Sequence, residues 1–422
     1  MRGMPQTGPL HVPIAAKSLG DYAAVVGRDV VAELREKAVP FKGARILNVN
    51  STAYGGGVAE LLYTIVPLMR DLGLEAEWRL MAGHEAFFHV TKAMHNALQG
   101  AEVPWTKEME STYRTVAEEN AEHFPTDYDF VIIHDSQPAG ILREITEDHG
   151  RPPGKWIWRC HIDLTETFDP VWNFVRPMVN EFDAAVFTLE DFVKKDLEVP
   201  HIALIPPSID PLSIKNIPMD PFMVEEVMRR YQIDMERPLI LQVSRFDPWK
   251  DPKGVIDAYR IVREQVPGVQ LALIASMAHD DPEGWQVYTE VDEYRQGDDD
   301  IKLLSNLQEV GGLAVNAFQR AADVVVQKSL REGFGLVVAE AQWKRKPVVG
   351  GNAGGIRLQI LEGQTGFLVD SVSQCAERIV HLLSDAEASR VMGTWAHEHI
   401  KQNFLSTRNI ADWLDLFLKL SH

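Results

Sequence analysis

An α/β protein of two doubly wound, Rossmann-like domains is what the sequence predicts, on three observations. Short apolar runs of strand length alternate with amphipathic helical stretches from about residue 41 to the C-terminus. The alternation breaks once, at the Pro- and Ser-rich stretch IPPSIDPL (205–212), and then restarts. The length, 422 residues, accommodates two domains of ordinary size. Strands alternating with helices make a parallel sheet covered on both faces.

In chain order, residues 1–40 read as a loose arm followed by one helix, DYAAVVGRDVVAELREKA. ARILNVN (44–50) is the first strand of an N-terminal domain set at 41–207. A Gly-rich turn and the helical pattern VAELLYTIVPLMRDL follow it. EAEWRLM, DFVIIHD, KWIWRCH, AAVFTL and HIALIP are its further strands. The C-terminal domain, set at 213–404, has LILQVS, VQLALIA, IKLLS, ADVVVQ, PVVGG and GFLVD, with helical segments such as GVIDAYRIVREQV between strands. Ser384 and Glu387 fit a helix-start capping box, and two helices close the chain. Ligands of such folds bind at the carboxyl ends of the strands. Two domains facing one another place the site in the cleft between them, so polar residues at strand ends are the ones to weigh.

Composition narrows the function. With 45% hydrophobic and 24% charged residues, the chain has material for full cores. A formal charge of −19, from 61 acids against 42 bases, disfavours nucleic acid or an anionic membrane as partner. A local basic pocket for a phosphate is compatible with it. Cys160 and Cys375 alone imply no disulfide framework, and a reducing cytoplasm fits. The first twenty residues lack a signal-peptide pattern, and no apolar run approaches about 18 residues. The expectation is a soluble, cytoplasmic protein.

Three stretches at strand ends carry chemistry. NVNSTAYGGGVAEL places Gly55, Gly56 and Gly57 at a helix start, where backbone amides and the helix dipole favour an anion. A simple tight turn explains these glycines as well. The stretch is not G-x-G-x-x-G and no acid closes the second strand, so a dinucleotide site is unsupported. QVSRFDPWKDPKG sets Arg245 and Lys250 five apart on one loop, where they can hold a diphosphate or form a solvated surface pair. LREGFGLVVAEA (330–341) puts Glu332 before a Gly333-Phe334-Gly335 turn and Glu340 more than one turn into the following helix. Glu340 can accept from a vicinal diol such as ribose and Glu332 from sugar hydroxyls; alternatively each pairs internally. Taken together, cations for a diphosphate and acids for ribose and hexose hydroxyls are what a nucleotide sugar requires.

On these residues the chain resembles the retaining glycosyltransferases of family 4. Glu332, seven residues and Glu340, with Gly333-Phe334-Gly335 inside, match that family's signature. SRFDPWK matches its donor-phosphate pair and GGGVAE its glycine loop. VNSTAYGGGVAE, HNALQG, HDSQPA, WRCHIDL, PPSIDPL, MAHDDPEGW and REGFG further resemble the trehalose-forming branch. That branch more often has Pro at Ser136. The resemblance runs from about residue 40 to the end and implies the GT-B fold, with helix 405–422 crossing back to the first domain.

The resemblance also implies roles. Arg245 and Lys250 hold the diphosphate, with Gly56 and Gly57 near the phosphates. Glu332 binds the donor glucose hydroxyls with Gly333, Phe334 and Gly335 around it, and Glu340 binds the ribose. The nucleobase lies near Ser305 to Leu307, on Asn306 and Leu307, mainly through backbone. His161 lines the anomeric carbon. Asn50, His134, Asp135, Gln137, His161 and Asp163 are the acceptor-side candidates. The implied reaction moves glucose from an ADP-, UDP- or GDP-glucose to free glucose, giving trehalose with retention.

That reaction needs no resident cofactor; magnesium enters only as an optional activator and a homodimer is the assembly entertained. No metal site is expected, since His84 and His89 do not share a helix face and AHDDPEG (278–284) lacks the alternation of a calcium loop. A trehalose phosphorylase using phosphate or glucose 1-phosphate is the main rival. A family member with another small sugar acceptor is a further alternative, and a nucleotide-sugar epimerase and a non-enzymatic sensor are weaker ones.

Overall fold

The structure, a computed structural model, describes residues 9–54, 56–275 and 282–422. Gly55 and the AHDD part of AHDDPEG (residues 278–281) lie outside the described residues. The chain divides into two compact units, 1–207 with 406–422, and 208–405.

Unit 1 holds strands β1 (Leu10–His11), β2 (Arg45–Asn50), β3 (Glu75–Leu80), β4 (Phe130–His134), β5 (Lys155–Arg159), β6 (Ala184–Phe187) and β7 (His201–Leu204) in the spatial order β1-β3-β2-β4-β5-β6-β7. All neighbours run parallel except β1, which pairs antiparallel with β3. Strands β4 and β6 are buried along their whole length, as a parallel sheet covered on both faces requires. At the rim, β7 alternates between half-buried and exposed residues. The order reverses at β2, so the C-terminal ends of β2 and β4 flank the topological switch. The closing helix Ser406–Leu420 packs on this unit by stacking Phe417 on Phe130, with ring centroids 4.3 Å apart.

Unit 2 holds β8 (Leu239–Val243), β9 (Gln270–Ala275), β10 (Ile301–Ser305), β11 (Val324–Gln327), β12 (Val348–Gly351) and β13 (Gly366–Val369). All are parallel, in the order β10-β9-β8-β11-β12-β13. That is the doubly wound order 3-2-1-4-5-6, with its switch between β8 and β11. Helices bury one apolar cluster around Val255, Tyr259 and Ile379 on one face of the sheet. A second cluster around Met228, Phe318 and Val338 covers the other.

Three expectations are corrected. The single helix over 21–38 is a 3-10 turn Leu19–Tyr22, a short helix Ala23–Val26 and a helix Arg28–Lys37. Gly27, at φ +92°, separates the two helices; only glycine takes that conformation freely. The arm before them is no loose tail throughout, because β1 completes the sheet edge. The capping box at Ser384 and Glu387 is replaced by Asp385, whose carboxylate accepts from the Ala388 amide at 2.9 Å. Ser384 is instead the last residue of the helix Val372–Ser384, and Glu387 pairs with Arg390.

Candidate functional site

In unit 2 the switch point brings two loops together. The loop after β8 carries Arg245, exposed and 3.3 Å from Asp247. Asp247 caps the 3-10 turn Pro248–Lys250 by accepting from the Trp249 amide at 2.9 Å. The loop after β11 carries Glu332. Lys250 Nζ donates to Glu332 Oε2 at 2.7 Å, and Ser329 Oγ donates to the same oxygen at 3.0 Å. Eighty-two positions separate Lys250 and Glu332 in sequence; the strand order makes them neighbours.

The two loops are fastened at two further points. The Leu330 amide donates to the Trp249 carbonyl at 2.7 Å. Lys328, buried, pairs with Asp251. Asp251 sits at φ +48° and also caps the helix Pro252–Gln265 through the Gly254 amide. A buried lysine is retained only with a partner, so the Lys328–Asp251 pair sets the height of the Lys250 turn.

Glu340 is buried in the helix Leu336–Trp343, which starts after Gly335 at φ +85°. Its carboxylate lies 3.6 Å from Lys215 Nζ and accepts from Gln319 Nε2 at 3.4 Å. Lys215 belongs to a segment anchored by its neighbours. Asn216 donates to the Asp210 carbonyl at 2.9 Å and accepts from Lys344 Nζ at 2.8 Å, while Asn316 donates to the Ile214 carbonyl at 2.9 Å. Burial pulls the Lys344 ammonium down to about 7. Gly333 and Phe334 are held from behind, since Gln359 Nε2 donates to the Phe334 carbonyl at 2.5 Å. A Cβ on Gly355 would meet Phe334 Cα at 2.5 Å, so two backbones touch there. Asn306 and Leu307 lie exposed on a 3-10 turn after β10, capped by Ser305.

In unit 1 the switch point gathers a different set. Gly56 precedes the helix Gly57–Asp71 in extended conformation and, among the described residues, the helix start has no side-chain N-cap. Asn50, at the end of β2, accepts from Trp78 Nε1 at 2.7 Å and donates to the Thr52 carbonyl at 2.6 Å. His134, at the end of β4, lies with Nδ1 2.9 Å from His161 Nε2 and Nε2 3.1 Å from Asn48 Oδ1. The two imidazole planes lie within 19° of parallel, with centroids 5.2 Å apart. Burial, then the charge of Arg159, pulls His134 down to about 3; the same causes, joined by His134, take His161 well below its ordinary value.

Asp135 follows at φ +64° and accepts from the His161 amide at 2.7 Å. Burial pushes its carboxyl up to about 6 against the opposing effect of that amide and Arg159. Gln137 is half-buried in the same turn, which Tyr113 holds by donating to the Ser136 carbonyl at 2.7 Å. Asp163 is buried and accepts from the Thr165 amide at 2.9 Å.

The structure therefore brings together Lys250 with Glu332, and His134, Asp135 and His161 with one another. Arg245 turns to Asp247, and Glu340 stands with Lys215 rather than with Glu332. Lys215, Lys328, Asn48 and Arg159 were not singled out from the sequence. Lys215 and Lys328 carry no local motif. Asn48 and Arg159 stand inside apolar strand runs, and a polar residue in such a run is the signal that could have found them. Arg159 is buried, and its Nε and Nη1 have no partner among the described residues. His84 caps the helix Glu85–Leu98, and His89 lies 3.7 Å from Glu85.

Residues 48–194 match the family described as Trehalose synthase, N-terminal domain, and residues 223–399 match Glycosyl transferases group 1. The trehalose synthase of Rubrobacter xylanophilus is 48% identical, covering 96% of this chain and 97% of its own. A trehalose phosphorylase of Pleurotus pulmonarius is more distant, 27% identical over 95% of this chain and 60% of its own. Among solved structures, the trehalose-6-phosphate protein from E. coli bound with UDP-2-fluoro glucose superposes with a TM-score of 0.71 at 14% identity, covering 89% of this chain and 98% of that one. That likeness speaks to the fold alone, a GT-B arrangement of two Rossmann-like domains. The sequence match spans nearly the full length of both chains, and the chain belongs to the trehalose synthase family of GT-B glycosyltransferases.

Proposed function

We propose that the protein is a retaining glucosyltransferase that moves glucose from a nucleoside diphosphate glucose to free glucose, forming α,α-trehalose. The observation that carries this reading is the Lys250–Glu332 pair, 2.7 Å apart at the switch point of unit 2. A cation for a phosphate and a carboxylate for sugar hydroxyls stand side by side there, as the junction between diphosphate and hexose demands. In this reading Arg245 supplies a second cation once it leaves Asp247. Gly56 and Gly57 offer helix-start amides, and Glu340 holds the ribose. Asn306 and Leu307 flank the base, and Gly333, Phe334 and Gly335 shape the donor pocket.

The bond from the anomeric carbon to the diphosphate oxygen breaks as the acceptor hydroxyl oxygen bonds to that carbon from the same face. The acceptor's proton passes to the departing phosphate oxygen. Lys250 and Arg245 stabilise the charge growing on that oxygen, about 3 kcal/mol for a strong preorganised donor. His161, neutral in its half-buried setting, accepts from a sugar hydroxyl, while Asn50, His134, Asp135, Gln137 and Asp163 shape the acceptor side. Retention then needs no covalent intermediate. Magnesium, as an activator, would arrive on the donor diphosphate. Two buried, unbridged cysteines support a cytoplasmic location, and a homodimer is included in the proposal.

Product analysis tests it. The protein is mixed with glucose and UDP-, ADP- or GDP-glucose in turn, in phosphate-free buffer. Trehalose with free nucleoside diphosphate is the expected outcome and identifies the preferred base. Trehalose only from glucose 1-phosphate and glucose would transfer the protein to the phosphorylase reading.

A further inference from the structure

The contacts of His134 leave one proton arrangement for the hydrogen-bonded imidazole pair. Asn48 donates through Nδ2 to the Glu77 carbonyl at 3.3 Å, which fixes its Oδ1 as the atom facing His134 Nε2 at 3.1 Å. An amide oxygen only accepts, so His134 must carry its proton on Nε2. With burial keeping that ring neutral, His134 Nδ1 is then a bare lone pair. The atom facing it at 2.9 Å, His161 Nε2, must therefore be the donor. A neutral His161 protonated on Nε2 has its own lone pair on Nδ1. No residue among those described occupies that nitrogen, and His161 is half-buried, the more accessible ring of the two.

The opposite arrangement fails on contact chemistry. A proton on His134 Nδ1 would leave His134 Nε2 and Asn48 Oδ1 as two acceptors 3.1 Å apart in a buried site. A proton on both nitrogens would make a cation where Arg159, in register with His134 on the next strand, already stands. The charged groups facing the two rings are Arg159 and Asp135, whose carboxylate accepts from the His161 amide.

We propose that Asn48 and His134 form a relay that fixes the tautomer of His161, leaving Nδ1 as a bare acceptor for a sugar hydroxyl. Asn48 and His134 are positioning residues in this scheme, and His161 is the group that meets the substrate. Asn48 reaches His134 because β2 and β4 are direct neighbours at the switch of unit 1, where Asn48 is in register with Ile132. The inference rests on the proposed glucosyl transfer only for its kinetic half.

The tautomer is measured on the full chain without substrate, by long-range proton–nitrogen correlation of ¹⁵N-histidine, with His134→Gln and His161→Gln assigning the signals. Nε2-protonated patterns for both rings near pH 7.5 are expected; a proton on His161 Nδ1 overturns the relay. In kinetics, Asn48→Leu should lower kcat at least about tenfold, with little change in donor KM. Asn48→Asp keeps an acceptor for His134 Nε2–H and should restore most of that loss at pH 8. It should also shift the acid limb of kcat upward, because a carboxylate favours the imidazolium that reverses the relay. Wild-type kcat in a folded Asn48→Leu, or a folded Asn48→Asp as slow as Asn48→Leu, would refute the positioning role. If the wild type forms no trehalose from any donor, the functional reading fails while the tautomer result stands on its own.

Discussion

At the residue scale, the two acids of LREGFGLVVAEA have separate electrostatic partners. Glu332 shares a proton-rich corner with Lys250 and Ser329, whereas Glu340 faces Lys215 and Gln319. Separate partners predict separable kinetics. Lys250→Ala should lower kcat at least tenfold, about 1.4 kcal/mol of transition-state stabilisation, and an unchanged kcat would remove it from leaving-group stabilisation. Glu340→Ala should raise the KM for the donor far more than that for glucose; equal increases would sink the ribose assignment. The acids and the basic loop were legible as residues, because their types and spacing make a recognisable pattern. Their pairing was not, since it depends on which strand lies beside which, and no local stretch of sequence states that.

At the element scale, the alternation of apolar runs located the strands because a parallel strand buried on both faces is mainly apolar, as β9 is from Leu271 to Ala275. The two-residue β1 escaped for the opposite reason: two residues have no period to read. The helix over 21–38 was misread because AAVV and VVAEL continue one another in apolar spacing across Gly27. Capping at Asp385 was missed because Ser384 and Glu387 fit the pattern one position early. The distinction is measurable in urea denaturation. Asp385→Ala should cost about 1 kcal/mol through the lost Ala388 contact, whereas exposed Ser384→Ala should stay within about 0.5 kcal/mol of wild type.

At the scale of the molecule, the buried polar group in unit 1 couples stability to pH. The native chain keeps His134 neutral down to about 3 and His161 well below its usual range, whereas the unfolded chain protonates both near 6.5. Their stabilisation is complete above that pH and is lost on acidification. Asp135 acts in the opposite sense, since the native carboxyl holds its proton up to about 6 and the unfolded one releases it near 3.9. Between about pH 6 and 4 the unfolded state thus binds an extra proton on His134, with His161 acting in the same sense, and the native state binds one on Asp135. His134 and Asp135 oppose one another at about 1.4 kcal/mol per pH unit each, and the lowered His161 tips the balance toward a loss of stability on acidification. Asp135→Asn should steepen that slope by a similar amount in denaturation curves taken across the range; an unaltered slope would mean that Asp135 titrates normally.

The anchored segment that opens unit 2 has a practical meaning for dissecting the chain. The Ile209 amide donates to the Phe404 carbonyl at 2.9 Å, and the Asp210 carbonyl receives Asn216, which in turn receives Lys344. A fragment cut at Ser213 would shed both Ile209 and Asp210, leaving Lys215 on a frayed end. One cut at Ser208 retains every one of these ties. The five residues of difference decide whether an isolated second half still holds a cation against Glu340, and so whether a test of the proposed nucleotide binding on such a fragment reports on the intact chain.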